Sequence, residues 1–255
     1  MSVSVLETKD LGIAFGGLQA LEGVHFAVDE GEIMGLIGPN GAGKTTVFNL
    51  LTSVYAPSEG QIRLGGHSIV GEKTYRITRN GIARTFQNIR LFKNMTVIEN
   101  VKIAMNSQMH YSVLAGICRL PSSRREERKV SARAHKLLQV FGLDSSAHNL
   151  AKNLPYGKQR KLEIARALAS DPKVLLLDEP AAGMNPTETN ELMKTIRLIR
   201  DRFGTAILLI EHDMSFVMGI CERIVVLDYG RIIAEGSPEA VRRDPKVIAA
   251  YLGGE

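Results

Sequence analysis

A glycine-rich stretch near the amino end, GPNGAGKTT at residues 38–46, constrains the fold more than any other feature of the chain. It matches the pattern G-x-x-x-x-G-K-[S/T], and it stands between an apolar run at 32–38 and a helical run that begins with VFNLL. This pattern binds phosphate where it joins a buried strand to a helix, because its backbone N–H groups and the positive helix end face the same anion. The flanking segments therefore predict a phosphate-binding loop at the carboxyl end of a strand.

Each residue type in this loop has a chemical use. Gly41 and Gly43 allow the backbone to turn its N–H groups inward. Lys44 is placed to bridge the β- and γ-phosphates of a nucleotide, and the Thr45 hydroxyl is placed to bind Mg²⁺. The predicted nucleotide-binding residues of the loop are Gly38, Pro39, Asn40, Gly41, Ala42, Gly43, Lys44, Thr45 and Thr46.

A second motif, VLLLDEP at residues 174–180, is an apolar strand that ends in two carboxylates. Asp178 is placed to hold the Mg²⁺ shell, as the acidic residue after such a strand does in phosphate-loop enzymes. Glu179 follows it and is the candidate base that polarises a water for attack on the γ-phosphate. Together with the phosphate loop, these carboxylates predict nucleotide hydrolysis.

Short apolar runs alternate with helical patterns along much of the chain. This alternation is typical of an α/β domain with a mostly parallel sheet. A helix is predicted around 192–199, with Asn185 or Thr187 available as its cap. The predicted strands are 32–38, 173–179, 205–211 and a hairpin at 223–236 that turns at 228–230.

The middle of the chain has a different pattern. It carries a charge run, RREERK at 124–129, and helical periodicity at 134–141 that stops at Gly142, with no clear strand. We therefore predict a helical lobe inserted into an α/β core. The predicted core is 1–88 and 164–255, and the lobe is about 89–163.

Composition limits the other possibilities for this chain of 255 residues. Cys118 and Cys221 are the two cysteines and have neither disulfide-framework nor metal-ligand spacing, so a reducing compartment fits. No apolar run approaches the length of a membrane span, and the first ten residues lack the apolar segment of a secretory signal. The net charge of +5 is weak evidence for an anionic partner. We expect a cytosolic protein that reaches a membrane only through a partner.

The order of the motifs resembles that of the nucleotide-binding subunits of ABC transporters over essentially the whole chain. The resemblance rests on the phosphate loop, RTFQNIRLF, the helix entrance at 154–160, LLLDEP and LLIEHDM, in that order. It implies a P-loop NTPase (RecA-like) α/β core, a small antiparallel β subdomain and the inserted α-helical lobe. It also implies ATP and Mg²⁺ as cofactors and transport-coupled ATP hydrolysis.

The resemblance implies roles for positions that are uninformative alone. Phe15 would stack on adenine, Gln87 would touch Mg²⁺ and the attacking water and link the ATP site to the lobe, and His212 would contact the γ-phosphate. Residues 182–185, AGMN, would cross the interface between two subunits. The implied catalytic residues are Glu179, His212 and Gln87, and the implied metal-binding residues are Thr45, Gln87 and Asp178.

The helix entrance LPYGKQ at 154–159 stands where the family has Leu-Ser-Gly-Gly-Gln, the signature loop that caps the γ-phosphate held by a second subunit. Pro155 supplies neither the serine hydroxyl nor an N–H group. The helix N-terminus and the Gly157 N–H remain as anion donors, and Lys158 adds a positive charge. Tyr156, Gly157 and Lys158 are therefore the predicted nucleotide contacts of this loop.

The Tyr-Gly variant resembles one branch of the family, the ATPases of bacterial importers for branched-chain amino acids. FGGLQAL, DEPAAGMNP, AYLGGE and a basic helical stretch near 110–130 resemble the same branch. The resemblance implies that the chain binds transmembrane permease subunits through residues around 88–105 and pairs with a second ATPase subunit that is identical or homologous. It also implies an indirect partner, a periplasmic amino-acid-binding protein. It implies a peripheral location at the cytoplasmic face of the inner membrane, and no nucleic acid.

Three other interpretations are compatible with an ABC-type nucleotide-binding domain. Lipopolysaccharide-export ATPases have a similar core, but they usually keep Ser-Gly-Gly and lack the long stretch at 106–130. Soluble ABC proteins that act on nucleic acid or the ribosome normally carry two nucleotide domains or a coiled-coil insertion, and this chain has no basic stripe with interleaved aromatics. A module without hydrolysis is disfavoured because Lys44, Asp178, Glu179 and His212 are all present.

Overall fold

The computed structural model describes residues 4–105 and 121–252 and divides them into two compact units. The first unit comprises 4–87 and 173–252, and the second comprises the described residues from 88 to 172. Cys118 and the first half of the basic stretch predicted near 110–130 lie outside the described residues. Within the described ranges, no helix combines the length and the apolar character needed to cross a bilayer.

The first unit contains two sheets. Its strands are β1 (Ser4–Phe15), β2 (Leu18–Asp29), β3 (Ile33–Ile37), β4 (Glu59–Leu64), β5 (His67–Ser68), β6 (Ile82–Arg84), β7 (Val174–Asp178), β8 (Ala206–Ile210), β9 (Arg223–Asp228) and β10 (Arg231–Gly236). One sheet has the order β10-β9-β3-β8-β7-β6, and the other has the order β2-β1-β4-β5. The strands predicted around 32–38, 173–179 and 205–211 are confirmed as β3, β7 and β8.

The larger sheet brings the ends of its strands together at one edge. Strands β6, β7, β8, β3 and β9 are all paired in parallel, and Asp178 at the end of β7 pairs with Ile210 at the end of β8. Every residue of β3, β7 and β8 is buried, as their continuous Ile, Leu and Val content predicts for a covered parallel sheet. Residues that follow these strands therefore meet at the same edge of the sheet.

The predicted hairpin is also confirmed. Strands β9 and β10 pair antiparallel, and the turn between them holds Tyr229 and Gly230 at φ values of 41° and 77°. The left-handed conformation at both positions is that of a two-residue hairpin turn.

The smaller sheet is antiparallel, as the family resemblance implies. A contiguous apolar core joins residues of this sheet to residues of the larger sheet and to the first helix. That helix contributes Val47, Phe48, Leu50 and Leu51, each at most 1% exposed. Its burial on several sides fixes the phosphate loop, which lies directly before it.

The helices of the first unit are α1 (Lys44–Leu51), α2 (Thr74–Asn80), α6 (Pro186–Phe203), α7 (Met214–Ile220), α8 (Pro238–Arg243) and α9 (Pro245–Leu252), with α3 to α5 in the second unit. Of the two predicted caps of α6, the structure uses Asn185. Its side chain accepts the Glu188 N–H at 3.0 Å, and the Glu188 carboxylate accepts the Asn185 N–H at 3.1 Å. This reciprocal pair is a capping box, and Leu192, Ile196 and Ile199 of α6 are buried as predicted.

The second unit is helical. It contains α3 (Val97–Met105), α4 (Pro121–Val140) and α5 (Tyr156–Leu168), with short 3₁₀ turns at Asp144–Ser146 and Ala151–Asn153. In its described part, extended pairing is limited to an isolated bridge between Thr96 and Leu150. Residues 134–138 continue the predicted helix, which ends at Val140 just before Gly142 with its φ of 64°. The glycine stop is therefore placed as its conformational freedom predicts.

One boundary drawn from the sequence needs correction. The predicted division after residue 163 falls inside α5, whereas the structure divides the chain between 172 and 173. Helix α5 is continuous through Leu168, and Leu162, Ile164 and Ala165 are buried within it. Residues 164–172, which the sequence analysis assigns to the core, thus belong to the helical unit.

Candidate functional site

The phosphate loop lies between β3, which ends at Ile37, and α1, which begins at Lys44. A Cβ atom at Gly38 would lie 1.9 Å from the Leu227 carbonyl oxygen, so only glycine fits there. Gly43 has a φ of 105°, and a Cβ there would lie 2.6 Å from a Leu21 methyl group. The two glycines let the backbone pack closely against neighbouring chain on both sides of the loop.

The Lys44 side chain is folded into this loop. Its ammonium group donates to the carbonyl oxygens of Gly38 at 2.7 Å and Pro39 at 2.8 Å. Burial lowers the pKa of Lys44, and the negative charge of Glu179 acts in the opposite direction. The sequence therefore places a partly desolvated cation at the positive end of α1, which fits a phosphate group.

Asp178 ends β7 and is buried. Its carboxylate accepts from the Arg84 guanidinium at 2.7 Å, and the same guanidinium donates to the Asn49 side-chain oxygen at 2.7 Å. Arg84 is absent from the sequence-based site, because no local motif marks its role. The sequence carries no signal for this role, because the pairing of the Arg84 strand with β7 exists only in the folded chain.

Glu179 is the centre of the polar cluster at this edge of the sheet. One carboxylate oxygen accepts from the Gln87 side-chain amide at 2.8 Å, and the other lies 3.0 Å from the His212 Nε2 atom. Its backbone φ is 47°, an uncommon conformation for a residue with a side chain. The structure thus brings together three residues that are widely separated in the sequence and were predicted to be catalytic.

The side-chain oxygen atoms at the carboxyl ends of the parallel strands are of the kind that bind a hard divalent cation. The Gln87 amide nitrogen faces Glu179, so its amide oxygen is the end that would bind a cation. The Thr45 hydroxyl at the start of α1 and the Asp178 carboxylate complete a set of the ligand type that Mg²⁺ prefers. These residues would hold the metal ion that the sequence analysis assigns to them.

Phe15 ends β1 and is 41% exposed, as a residue that stacks on a base must be. Its ring packs against Tyr55 in an edge-to-face arrangement, with the ring centroids 5.1 Å apart. Sequence reasoning missed Tyr55, which comes from the segment after α1. The pair presents an aromatic platform in the first unit.

Residues 154–159, the signature segment, lie in the second unit. Pro155 is the residue before α5 and makes no side-chain cap, while the Gln159 side chain donates to the Leu154 carbonyl at 2.8 Å. The Tyr156 hydroxyl lies 3.4 Å from Arg160, one turn along the helix. Tyr156 and Lys158 are exposed and Gly157 is buried. The helix therefore begins without the usual serine or aspartate cap.

A fully buried ion pair supports this helix. Arg160 and Glu163 are joined at 2.9 Å, and their side chains are at most 2% exposed. Glu163 also accepts the backbone N–H of Arg90 at 2.9 Å. The pair therefore fixes the first turns of α5 to the backbone at Arg90.

The comparisons with known proteins agree with this geometry. A family model described as "ABC transporter" matches residues 21–182, and one described as "Branched-chain amino acid ATP-binding cassette transporter" matches 231–255. The chain is 48% identical to the high-affinity branched-chain amino acid transport ATP-binding protein LivG of Escherichia coli and 47% identical to BraF of Pseudomonas aeruginosa, with 99% of both chains covered in each comparison. It is 33% identical to the lipopolysaccharide export ATP-binding protein LptB of Haemophilus influenzae.

A solved structure gives the same result for the fold. An ATP-binding cassette of an ABC transporter in its ADP conformation has a TM-score of 0.86 and 31% identity, with all of both chains covered. The site combines a phosphate loop between a strand and a helix with a pair of carboxylates after a parallel strand. The chain also covers nearly the whole length of relatives that are more than 30% identical to it. The chain belongs to the ABC transporter family as an ATP-binding cassette, the ATPase subunit of such a transporter.

Proposed function

We propose that this chain is the ATP-hydrolysing subunit of a bacterial importer for branched-chain amino acids. The observation that carries the proposal is the 48% identity to a branched-chain amino acid transport subunit over 99% of both chains. The match of residues 231–255 to a branched-chain transporter model supports the same branch. The lipopolysaccharide-export relative is more distant, at 33% identity, and is the second candidate.

Residues of the first unit hold the nucleotide in this proposal. Lys44 leaves the carbonyl groups of its own loop and binds the β- and γ-phosphates, while Phe15 stacks on the base with support from Tyr55. Thr45, Gln87 and Asp178 would hold Mg²⁺. An ion bound there would supply positive charge that offsets the negative charge developing on the phosphates.

Glu179 accepts the proton of the attacking water. The Gln87 amide and the His212 ring approach opposite oxygens of its carboxylate, which fixes the orientation of that carboxylate. The His212 ring is 45% exposed and lies 3.0 Å from Glu179, which supports a contact between this ring and the γ-phosphate. An oriented base beside an oriented water supplies the in-line geometry that hydrolysis needs.

The signature segment acts on the nucleotide of a second ATPase subunit, identical or homologous. The N-terminus of α5 offers the Gly157 N–H, and Lys158 adds a cation nearby. The Tyr156 hydroxyl is directed along the helix toward Arg160. Backbone donors and Lys158, rather than a hydroxyl, therefore carry the contact to the partner's γ-phosphate.

Membrane subunits are the mechanical partners. We propose that transmembrane permease subunits contact the second unit around residues 88–105, and that the assembly lies at the cytoplasmic face of the inner membrane. A periplasmic amino-acid-binding protein delivers substrate to those permease subunits, without contact to this chain. Nucleic acid has no part in this scheme.

Affinity purification from detergent-solubilised membranes tests the proposal. Tagged chain carrying Glu179→Gln, held with ATP, should retain permease subunits. Those permease subunits, reconstituted with a binding protein and the parent chain, should give ATP-dependent uptake of leucine, isoleucine or valine. The same reconstitution with the Glu179→Gln chain should give no uptake. Recovery of lipopolysaccharide-export components, or of ribosomes, would contradict the importer assignment.

A further inference from the structure

A buried carboxylate beside His212, the predicted γ-phosphate contact, has no part in the mechanism above. Glu211 follows β8 directly, precedes His212 and is 5% exposed. One of its oxygens accepts the backbone N–H of Ala181 at 2.7 Å, and the other accepts the backbone N–H of His212 at 3.0 Å. One side chain therefore holds the backbone of two loops that are thirty residues apart in the sequence.

This position is costly for a carboxylate. Burial raises the pKa of Glu211, and the nearby charge of Glu179 raises it further, while hydrogen bonds from the N–H groups of Ala181, His212 and Asp213 lower it. Glutamine has the same length but only one acceptor oxygen, so it cannot accept both N–H groups through separate oxygens. The demand for two acceptors at once explains why a carboxylate stands here.

Glu211 completes a set of three cross-links between the same two segments. The Glu179 N–H donates to the Ile210 carbonyl at 2.9 Å, and the His212 ring contacts the Glu179 carboxylate at 3.0 Å. The bond from Ala181 to Glu211 is the third. These contacts join Glu179 and His212 in register, and the loop 182–185 begins one residue after Ala181, which Glu211 holds.

We propose that Glu211 is a positioning residue that couples His212 to the interface-crossing loop 182–185. A contact between His212 and a γ-phosphate would then set the position of the loop that meets the second subunit. The inference rests on the proposed roles of His212 and of 182–185, and it adds the residue that joins them. Without Glu211, the remaining links hold Glu179 but no longer hold Ala181.

Two substitutions of Glu211 and one matched control test the coupling. Glu211→Gln keeps the size and removes one acceptor, while Glu211→Asp keeps both oxygens on a side chain too short to reach both donors. Glu222→Gln is the control, because Glu222 also accepts a backbone N–H from another element, that of Ile33 at 3.2 Å. Each variant is used as full-length chain with a melting temperature compared with that of the parent.

Hydrogen exchange without nucleotide measures the contact itself. The amides of Ala181 and His212 should exchange faster in both Glu211 variants and at the parental rate in Glu222→Gln, because hydrogen-bonded amides exchange only on local opening. With ATP, the segment 182–185 should gain protection in the parent and in Glu222→Gln. It should gain little in the Glu211 variants.

Turnover and assembly separate a coupling role from a merely structural one. In the Glu211 variants kcat should fall by about 2- to 30-fold, the range of single-residue coupling effects, while KM for ATP stays within about twofold. Dimer formation of each variant combined with Glu179→Gln should need correspondingly more ATP. The proposal would be overturned if the amide of Ala181 exchanged faster while kcat, dimerisation and the protection of 182–185 stayed at parental values. Glu211 would then be a structural anchor only.

The same measurements distinguish this proposal from the proposed function. If the chain carrying Glu179→Gln alone never dimerised with ATP, the proposal of a nucleotide site shared by two subunits would fail. The ATP-dependent protection of 182–185 would still show whether Glu211 couples His212 to that loop. If leucine uptake failed but the Glu211 variants lost coupling, the importer assignment alone would fall. Unchanged protection of 182–185 in the Glu211 variants would overturn the coupling in either case.

Discussion

The guanidinium of Arg84 lies 2.7 Å from the carboxylate of Asp178, and both side chains are less than a tenth exposed. The same guanidinium lies over the aromatic rings of Phe48 and Phe86, with its carbon atom 5.4 and 5.1 Å from the two ring centroids. Asn49 accepts a further hydrogen bond from it. This arrangement fixes the orientation of the predicted metal-binding carboxylate before any metal ion binds.

Replacing Arg84 by methionine should destabilise the protein strongly. The variant keeps an apolar stem between the rings but leaves Asp178 buried without its cation, and breaking such a pair costs about 3–5 kcal/mol. Urea unfolding of nucleotide-free protein measures the loss. The combined variant Arg84→Met with Asp178→Asn should recover much of it, because neither member of the pair then carries a buried charge. Equal stability of Arg84→Met and the parent would show that the pair contributes nothing.

Lys44→Ala should abolish tight ATP binding. Lys44 is the cation that the phosphate loop holds on its own carbonyl groups, and no neighbouring side chain of the loop carries a positive charge. Titration with a fluorescent ATP analogue gives the affinity. Lys194→Ala is a suitable control, since this lysine is exposed on α6. Parental affinity in Lys44→Ala would remove the loop from the nucleotide site.

Glu179→Gln should bind ATP and fail to turn it over. The amide keeps the size of the side chain but has lost the base, so ATP should accumulate in a closed dimer. Light scattering with and without ATP distinguishes that dimer from the monomer expected without nucleotide. Turnover at the parental rate would exclude Glu179 as the base, and a dimer in both states would exclude ATP-gated association.

The parts of the site that follow from the sequence are those carried by contiguous motifs. GPNGAGKTT and LLLDEP each place several functional groups at the end of one strand, so a short segment contains its own structural context. Gln87 and His212 were found through the family resemblance, since a lone polar residue gives no such signal. Their contact with Glu179 depends on which strands are neighbours in the sheet.

Arg84, Tyr55 and Glu211 could not be recognised in the same way. Each acts on a residue brought close only by tertiary structure: Asp178, Phe15 and Ala181, respectively. The misplaced domain boundary has a related cause. The periodic pattern around α5 identifies a helix, but the side on which that helix packs depends on contacts with α3 and α4.

The thiol of Cys221 should resist alkylation in the folded protein. Cys221 is buried, and burial raises the pKa of its thiol to about 12, with the nearby carboxylates of Glu222, Glu211 and Glu32 acting in the same direction. Because the thiolate is the reactive form, the folded protein should react slowly at pH 8 and rapidly once urea unfolds it. The measurement uses iodoacetamide on a Cys118→Ser background. Rapid labelling under native conditions would contradict the burial of this thiol.

Gly157→Asp tests whether the unusual signature segment contacts nucleotide. Gly157 is buried at the second position of α5, where an added carboxylate suits the helix dipole but would face the γ-phosphate held by the second subunit. ATP binding to the phosphate loop of the variant should stay near the parental affinity, whereas hydrolysis and ATP-dependent dimerisation should be lost. Gly157→Asn, with the same shape and no charge, should retain more of both, because it removes the repulsion and keeps the steric change. If Gly157→Asp hydrolysed ATP as fast as the parent, residues 154–159 would not contact nucleotide, and Pro155 would mark only an irregular helix start.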